Sequence, residues 1–221
     1  VGGALESAGP LKPHALQGAE KTRAHAEVPE NQGEGIHLVG LILTRDENHI
    51  YRLGAEVIPG VTQVLSDVGI VDYSHIPAEA REAGKQRGRL VHLQTELDDK
   101  GLLDESLADM GYVDGWRKYR EDWHFNPIRR EFLCYHPVYL YAGQIDAEDE
   151  DETVDIKTGE PQSWVRYQTA GYAAMNSRAK KRTCVVLPGD GKYRRISFPV
   201  ADYRRDLDVY LSALTVFRVR R

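Results

Sequence analysis

The chain has 221 residues, 41% of them hydrophobic, and a formal net charge of −5, a balance that suits one globular domain with a sizeable core. No stretch approaches the roughly 20 consecutive apolar residues of a membrane span, and no apolar secretory region opens the sequence. Two cysteines, Cys134 and Cys184, are too few for a disulfide framework or a four-cysteine zinc or iron–sulfur site, so both read as ordinary strand residues.

A negative total argues at first against a polyanionic partner. The sum conceals a division, since residues 157–221 hold 14 Lys and Arg against 5 Asp and Glu, which leaves 15 against 29 in residues 1–156. The C-terminal third is thus strongly basic, and divalent metal on the acidic side relieves part of the remaining repulsion.

Residues 1–35, rich in Gly, Ala, Glu and Pro, lack apolar periodicity and read as a flexible leader. No Arg-rich, acid-poor transit pattern is evident in it. Residues 36–221 are expected to form a single domain. Ile36 to Leu43 and Ile50 to Val57 flank the polar run Thr44 to Asn48 and suggest a hairpin, which Pro59-Gly60 ends. Val61, Val64, Leu65 and Val68 predict a short helix. A longer one is expected from Pro77 to Lys100, with Leu90, Leu93 and Leu97 on its inner face and Gly101 as its stop. A third segment, Asp104 to Trp123, is weakened at Gly111 and Gly115.

After Pro127 the pattern changes to strands. Glu131 to Ile145 and Thr153 to Thr158 are expected to flank an acidic turn, Glu148 to Glu152, kept in water by its like charges. A helix follows from Pro161 to about Ser177, then the basic cluster Arg178, Lys180, Lys181 and Arg182. Thr183 to Leu187 and Tyr193 to Phe198 pair about the turn Pro188 to Gly191, and a helix from Val200 to Phe217 closes the chain. This order predicts an α/β fold with a central mixed β-sheet flanked by helices and an N-terminal helical segment.

Asp155 and Lys157 are two apart on a predicted strand and so share one face of the sheet. Alone, the pair reads as a solvated ion pair. Asp146 ends the preceding strand, however, and antiparallel pairing across the acidic turn brings its carboxylate beside that of Asp155. Two carboxylates in one place repel unless a cation lies between them. Carboxylates and the Ile156 carbonyl suit a hard ion such as Mg²⁺ or Mn²⁺.

Gly143-Gln144-Ile145-Asp146, then Val154-Asp155-Ile156-Lys157-Thr158-Gly159, then Gln168-Thr169-Ala170-Gly171-Tyr172 resembles the motif set of RecB-like nucleases in the PD-(D/E)xK superfamily. The resemblance implies a restriction-endonuclease-like core in which Asp146 and Asp155 bind metal, Lys157 serves the attacking water, and Gln168 and Tyr172 support the site and meet DNA. Gln168 and Tyr172, four apart, do share a helix face. Gly88-Arg89-Leu90-Val91-His92 is similar to the Gly-xxx-His pattern of the group, which makes His92 a metal ligand, and Glu131 is a candidate acidic neighbour of the metal. Pro59 to Leu65 also resembles a segment of small phage-type exonucleases. Members that hold an iron–sulfur cluster use four cysteines, so none is expected here.

The expected activity is metal-dependent hydrolysis of phosphodiester bonds at DNA ends, the basic C-terminal third tracking the backbone and the helices around His92 and Trp116 forming an arch over a single strand. A structure-specific or restriction-like endonuclease, a non-catalytic nucleic-acid-binding module and a globular protein with a chance motif are the alternatives. No Gly-xxxx-Gly-Lys-Ser/Thr loop is present, so unwinding falls to a separate helicase, with a single-strand-binding protein as a further expected partner. The expected setting is the cytoplasm of a bacterium or phage-infected host, with an organellar matrix as the alternative; no membrane association is expected.

Overall fold

The computed structural model describes residues 41–175 and 181–221. The expected leader, the start of the first apolar run and Arg178 and Lys180 of the basic cluster lie outside the described residues. Three short strands come first, β1 (Leu43–Arg45), β2 (Tyr51–Leu53) and β3 (Glu56–Ile58), paired as an antiparallel meander. The expected hairpin therefore gains a strand, because Gly54 folds the second apolar run back on itself at φ 61°, a left-handed conformation that costs glycine little. The Asp46 carboxylate holds the first turn by accepting the N–H groups of Asn48 and Ile50, each at 2.9 Å.

Helix α1 (Val61–Asp67) buries Val61, Val64 and Leu65, as its periodicity predicts. Helix α2 (Ala78–Asp99) ends before Gly101, whose φ of 66° turns the chain. Its inner face is not the expected one. Leu90, Leu93 and Leu97 are only partly covered, whereas Val91, Gln94, Thr95 and Glu96 are buried. Polar side chains go inward here because they meet partners: Gln94 accepts the Asp109 N–H, and the Thr95 hydroxyl accepts from Arg130. Next to them Asp98 and Asp99 take Arg117, Arg120, Arg130 and the Trp116 indole.

Helix α3 (Met110–Trp123) follows a short 3-10 turn at Glu105–Leu107. Its two glycines are contact points rather than weaknesses. A Cβ at Gly111 would collide with the Gly189 carbonyl and one at Gly115 with the Lys192 carbonyl. Trp116 is fully buried against Tyr119 and Phe125. It belongs to the core, and the expected arch gains no aromatic lining from it.

The main sheet contains β4 (Arg129–Tyr135), β5 (Ala142–Glu148), β6 (Glu152–Lys157), β7 (Lys181–Val186) and β8 (Arg194–Phe198), side by side in that order. Only β6 and β7 run parallel, so their connection must cross over; helix α4 (Val165–Met175) lies in it. The run from Glu131 to Ile145, expected as one strand, is the β4–β5 hairpin. His136 closes its turn by accepting the N–H groups of Val138 and Tyr139. The acidic turn departs from expectation at both ends. Glu148 is fully buried and paired with Arg129; Glu152 is buried beneath Arg195 and Thr183. Burial becomes tolerable because each charge is paired.

After a 3-10 turn at Val200–Asp202, helix α5 (Tyr203–Val219) completes the fold. Val61, Leu65, Val165, Tyr210 and Leu214 form one core with Ile145, Cys184 and Val186. Val91, Trp116 and Tyr119 form a second with Val154, Ile156, Val185 and Leu187. Along β7 successive residues thus enter different cores, as the two-residue period of a strand requires. The chain has the expected α/β architecture: a mixed sheet flanked by helices, preceded by a small sheet and helices α1 to α3. Both cysteines sit in strands, Cys134 in β4 and Cys184 in β7.

The basic C-terminal third is less open than its charge count suggests. Arg166 and Arg182 bind Asp206 inside the protein at 2.8 and 2.9 Å, and Arg195 binds Glu152. Arg194, Arg204, Arg205 and Arg221 have acidic partners on the surface. These cations pair with the protein's own carboxylates.

Candidate metal centre

Strands β5 and β6 pair through Ala147↔Val154 and Glu148↔Thr153, a register that sets Asp146 opposite Asp155 when continued. The ladder opens at that point. Instead of a strand partner, the Ile156 N–H finds Asp146 Oδ2 at 2.7 Å. Val154 and Ile156 enter the core, so Asp155 and Lys157 face the other way. Lys157 Nζ lies 2.7 Å from Asp155 Oδ1.

His92 reaches these strands from α2. Its Nδ1 lies 2.8 Å from Glu131 Oε1 and 3.5 Å from Asp146 Oδ1, and its Nε2 is 3.2 Å from the Ile156 carbonyl oxygen. Donor atoms of His92, Glu131 and Asp146 all fall within 4.8 Å of one another. His92, Asp146 and Ile156, expected together from the sequence, do converge, while Asp155 stands beside them on its lysine. Glu131 joins the group more closely than its place in the sequence suggested. It has a left-handed φ of 47° in the middle of β4, where Arg130↔Ala147 and Phe132↔Ile145 leave it facing Asp146. Such a conformation costs a residue with a side chain about 1–3 kcal/mol and persists where neighbours hold it. Gln144 does so, donating to the Glu131 carbonyl at 3.2 Å and to Glu131 Oε2 at 2.6 Å. The sequence signal for this contact was only that Gln144 lies inside the motif ending at Asp146.

Burial pushes the Asp146 carboxyl up, opposed by His92 and reinforced by Glu131. Burial likewise raises Asp155, against the pull of Lys157. For the two cations burial works the other way and loses. Asp155 and Asp146 keep the Lys157 ammonium above its ordinary range, and Asp146 with Glu131 overcomes the desolvation of His92, which is pushed up to about 9.

The residues present fit a divalent cation. Asp155 is 2% exposed and its Oδ2 has no hydrogen-bond partner among the described residues, a costly state for a buried carboxylate oxygen unless a cation meets it. Three carboxylates, one carbonyl and one imidazole form an oxygen-rich donor set of the kind that suits Mg²⁺ or Mn²⁺.

Gln168 and Tyr172 lie on α4, both buried. Gln168 Nε2 is 3.1 Å from the Tyr172 hydroxyl and 3.0 Å from Thr62 Oγ1, while its Oε1 has no partner among the described residues. The Tyr172 ring rests on Gly143, where a Cβ would collide with it. Residues from three motif segments, Thr62 of the first, Gly143 of the second and Gln168 with Tyr172 of the third, are thereby joined at one place.

Fold and site together define an α/β protein whose central hairpin presents two aspartates and a lysine beside a histidine–glutamate pair. No protein-family model matches the chain, and no curated protein matches it. Among solved structures, an alkaline exonuclease from Laribacter hongkongensis is similar at a TM-score of 0.35 and 17% identity, over 71% of this chain and 76% of that one. The same exonuclease in complex with dAMP is similar at a TM-score of 0.36 and 15% identity, over 72% of this chain and 88% of that one.

Proposed function

We propose that the chain is a divalent-metal-dependent deoxyribonuclease that hydrolyses phosphodiester bonds and works from DNA ends. The observation that carries this reading is the convergence of Asp146, Asp155, Lys157, His92 and Glu131 on one opened stretch of the β5–β6 hairpin. Mg²⁺ or Mn²⁺, when bound, supplies Lewis-acid polarisation of the phosphate and a more acidic water.

The chain's own groups do the rest. His92, Asp146, Asp155 and the Ile156 carbonyl would hold the ion, with Glu131 beside His92. Lys157, fixed by Asp155, offers a permanent positive charge where the phosphate gains negative charge on attack by water. Gln168 and Tyr172, buried and bonded to each other, support the site from α4. Action at ends rests on the motif resemblance rather than on an enclosed channel.

The test is release of nucleotides from end-labelled linear DNA with Mg²⁺ or Mn²⁺, run beside a circular substrate and the Lys157→Ala variant. Metal-dependent loss from linear DNA alone, absent in the variant, is the expected result. Cutting of circles at the same rate would replace the exonuclease by an endonuclease, metal-independent activity would overturn the role of the metal centre, and absent activity on both substrates would overturn the nuclease reading.

A further inference from the structure

The first three turns of α2 stand clear of the core: no residue from Ala78 to Leu90 is buried. A helix usually earns its place by burying a face, and this half-helix buries none. It carries Lys85, Arg87 and Arg89, all exposed. Arg89 has no ion-pair partner among the described residues; Arg87 has no acidic one, and its Nε points to the Thr158 hydroxyl at 3.4 Å, directly after Lys157. Lys85 has only an exposed contact with Glu82 at 3.6 Å.

The β1–β2 turn brings further positive charge to the same place. His49 is hydrogen-bonded to Arg45 at 3.3 Å, and desolvation first, then the fields of Arg45, Arg89 and Lys85, hold its imidazole below the ordinary range despite Asp46. The Asp46 carboxylate is occupied by the backbone of its own turn.

Between these cations the helix surface is bare. Gly84, Gly88 and His92 are four apart and share a face. A Cβ at Gly88 would meet nothing within 4 Å, and one at Gly84 only the tip of Arg87. Neither glycine is needed for packing or for a turn, and both weaken a helix relative to alanine. The row they form leads to His92, at the candidate metal centre.

We propose that this face of α2, with Lys85, Arg87, Arg89 and Arg45 along a glycine-floored row, is the track on which the phosphates of a DNA strand reach the metal centre. The inference rests on the nuclease reading and extends it, placing the phosphate contacts on the acidic N-terminal part of the chain instead of the basic C-terminal third. Missing side chains at 84 and 88 let the sugar–phosphate chain lie low enough for cations on either side to meet it.

The experiment is fluorescence titration of a single-stranded oligonucleotide with the full chain and Ca²⁺, whose looser coordination disfavours the chemistry, across a series of salt concentrations. Each phosphate contact contributes about 0.7 to the slope of log affinity against log salt on a single strand. For Lys85→Gln/Arg87→Gln/Arg89→Gln the slope is expected to fall by about two, with weaker binding at low salt. Gly88→Leu separates the track from general charge: it is expected to raise the thermal midpoint, as a better helix former in open space, yet to weaken DNA binding severalfold. Unchanged slope and affinity in these variants, with wild type binding DNA, would overturn the track alone. Failure of wild type to bind or cut DNA with any divalent ion would overturn the nuclease reading as well.

Discussion

His92 sits between Glu131 and Asp146 at 2.8 and 3.5 Å, and the two carboxylates favour its protonated form. Its folded value of about 9 lies above the 6.5 of a free imidazole, so its stabilising effect is complete below about pH 6.5 and is lost as pH rises through about 9. Thermal unfolding in chelator should therefore weaken from pH 6.5 to 9.5 more steeply for wild type than for His92→Gln. Parallel curves would show that the carboxylates do not favour that form. Lys157 poses a different question. Since it carries the charge nearest the expected reaction, Lys157→Ala should lose about 10²–10⁴-fold in rate while circular dichroism stays native, and a smaller loss would move the role elsewhere. The identity of Asp146, Asp155 and Lys157 as a set was legible in the sequence, because a spacing of two and a hairpin turn are local. Glu131 was a candidate acidic neighbour by resemblance, but its approach to Asp146 depends on the pairing of β4 with β5.

Among the elements, α3 and the β7–β8 turn are locked by the absence of side chains. Helix propensity alone predicts that Gly111→Ala or Gly115→Ala stabilises the protein by up to about 1 kcal/mol. The opposite sign is expected, a loss of about 1–3 kcal/mol from overpacking, because each new methyl meets a backbone carbonyl of Gly189 or Lys192. Urea unfolding of both variants decides between them. Helices α4 and α5 are tied together by Asp206, which is fully buried and takes Arg166 and Arg182. Asp206→Ala leaves the buried Arg182 without its carboxylate, and a loss of about 3–5 kcal/mol is expected; a near-neutral result in the same unfolding assay would mean that water replaces the carboxylate. Element types were readable from periodicity, boundaries less so. The β4–β5 hairpin escaped notice because its turn, built on His136 and Leu140, contains no glycine.

At the scale of the whole molecule, a net charge of −5 and three carboxylates at the proposed reaction site set the conditions for binding a polyanion. DNA affinity is expected to be weak in chelator and at least tenfold higher with Ca²⁺ or Mg²⁺, since a bound cation reverses the local sign of the field. Equal affinity in both would place the DNA away from the metal centre. The halves of the chain also exchange the roles that their composition assigns. Arg166, Arg182, Arg195 and Arg194 of the basic third are paired with Asp202, Asp206, Glu152 and Glu160, whereas the acidic part bears the less encumbered cations of α2.

What the sequence by itself determined is what short spacing controls: the alternation that aligns Asp155 with Lys157, the acidic turn that folds Asp146 back toward them, and the four-residue step from Gln168 to Tyr172. Only the tertiary structure decided how His92, singled out by its Gly-xxx-His pattern, meets those carboxylates. It also decided that Glu148 and Glu152 go inside, that Trp116 is core, and which arginines stay without acidic partners. Each of these depends on groups brought together from distant parts of the chain, and the energy of burying or pairing a charge is fixed by neighbours that no local period reveals.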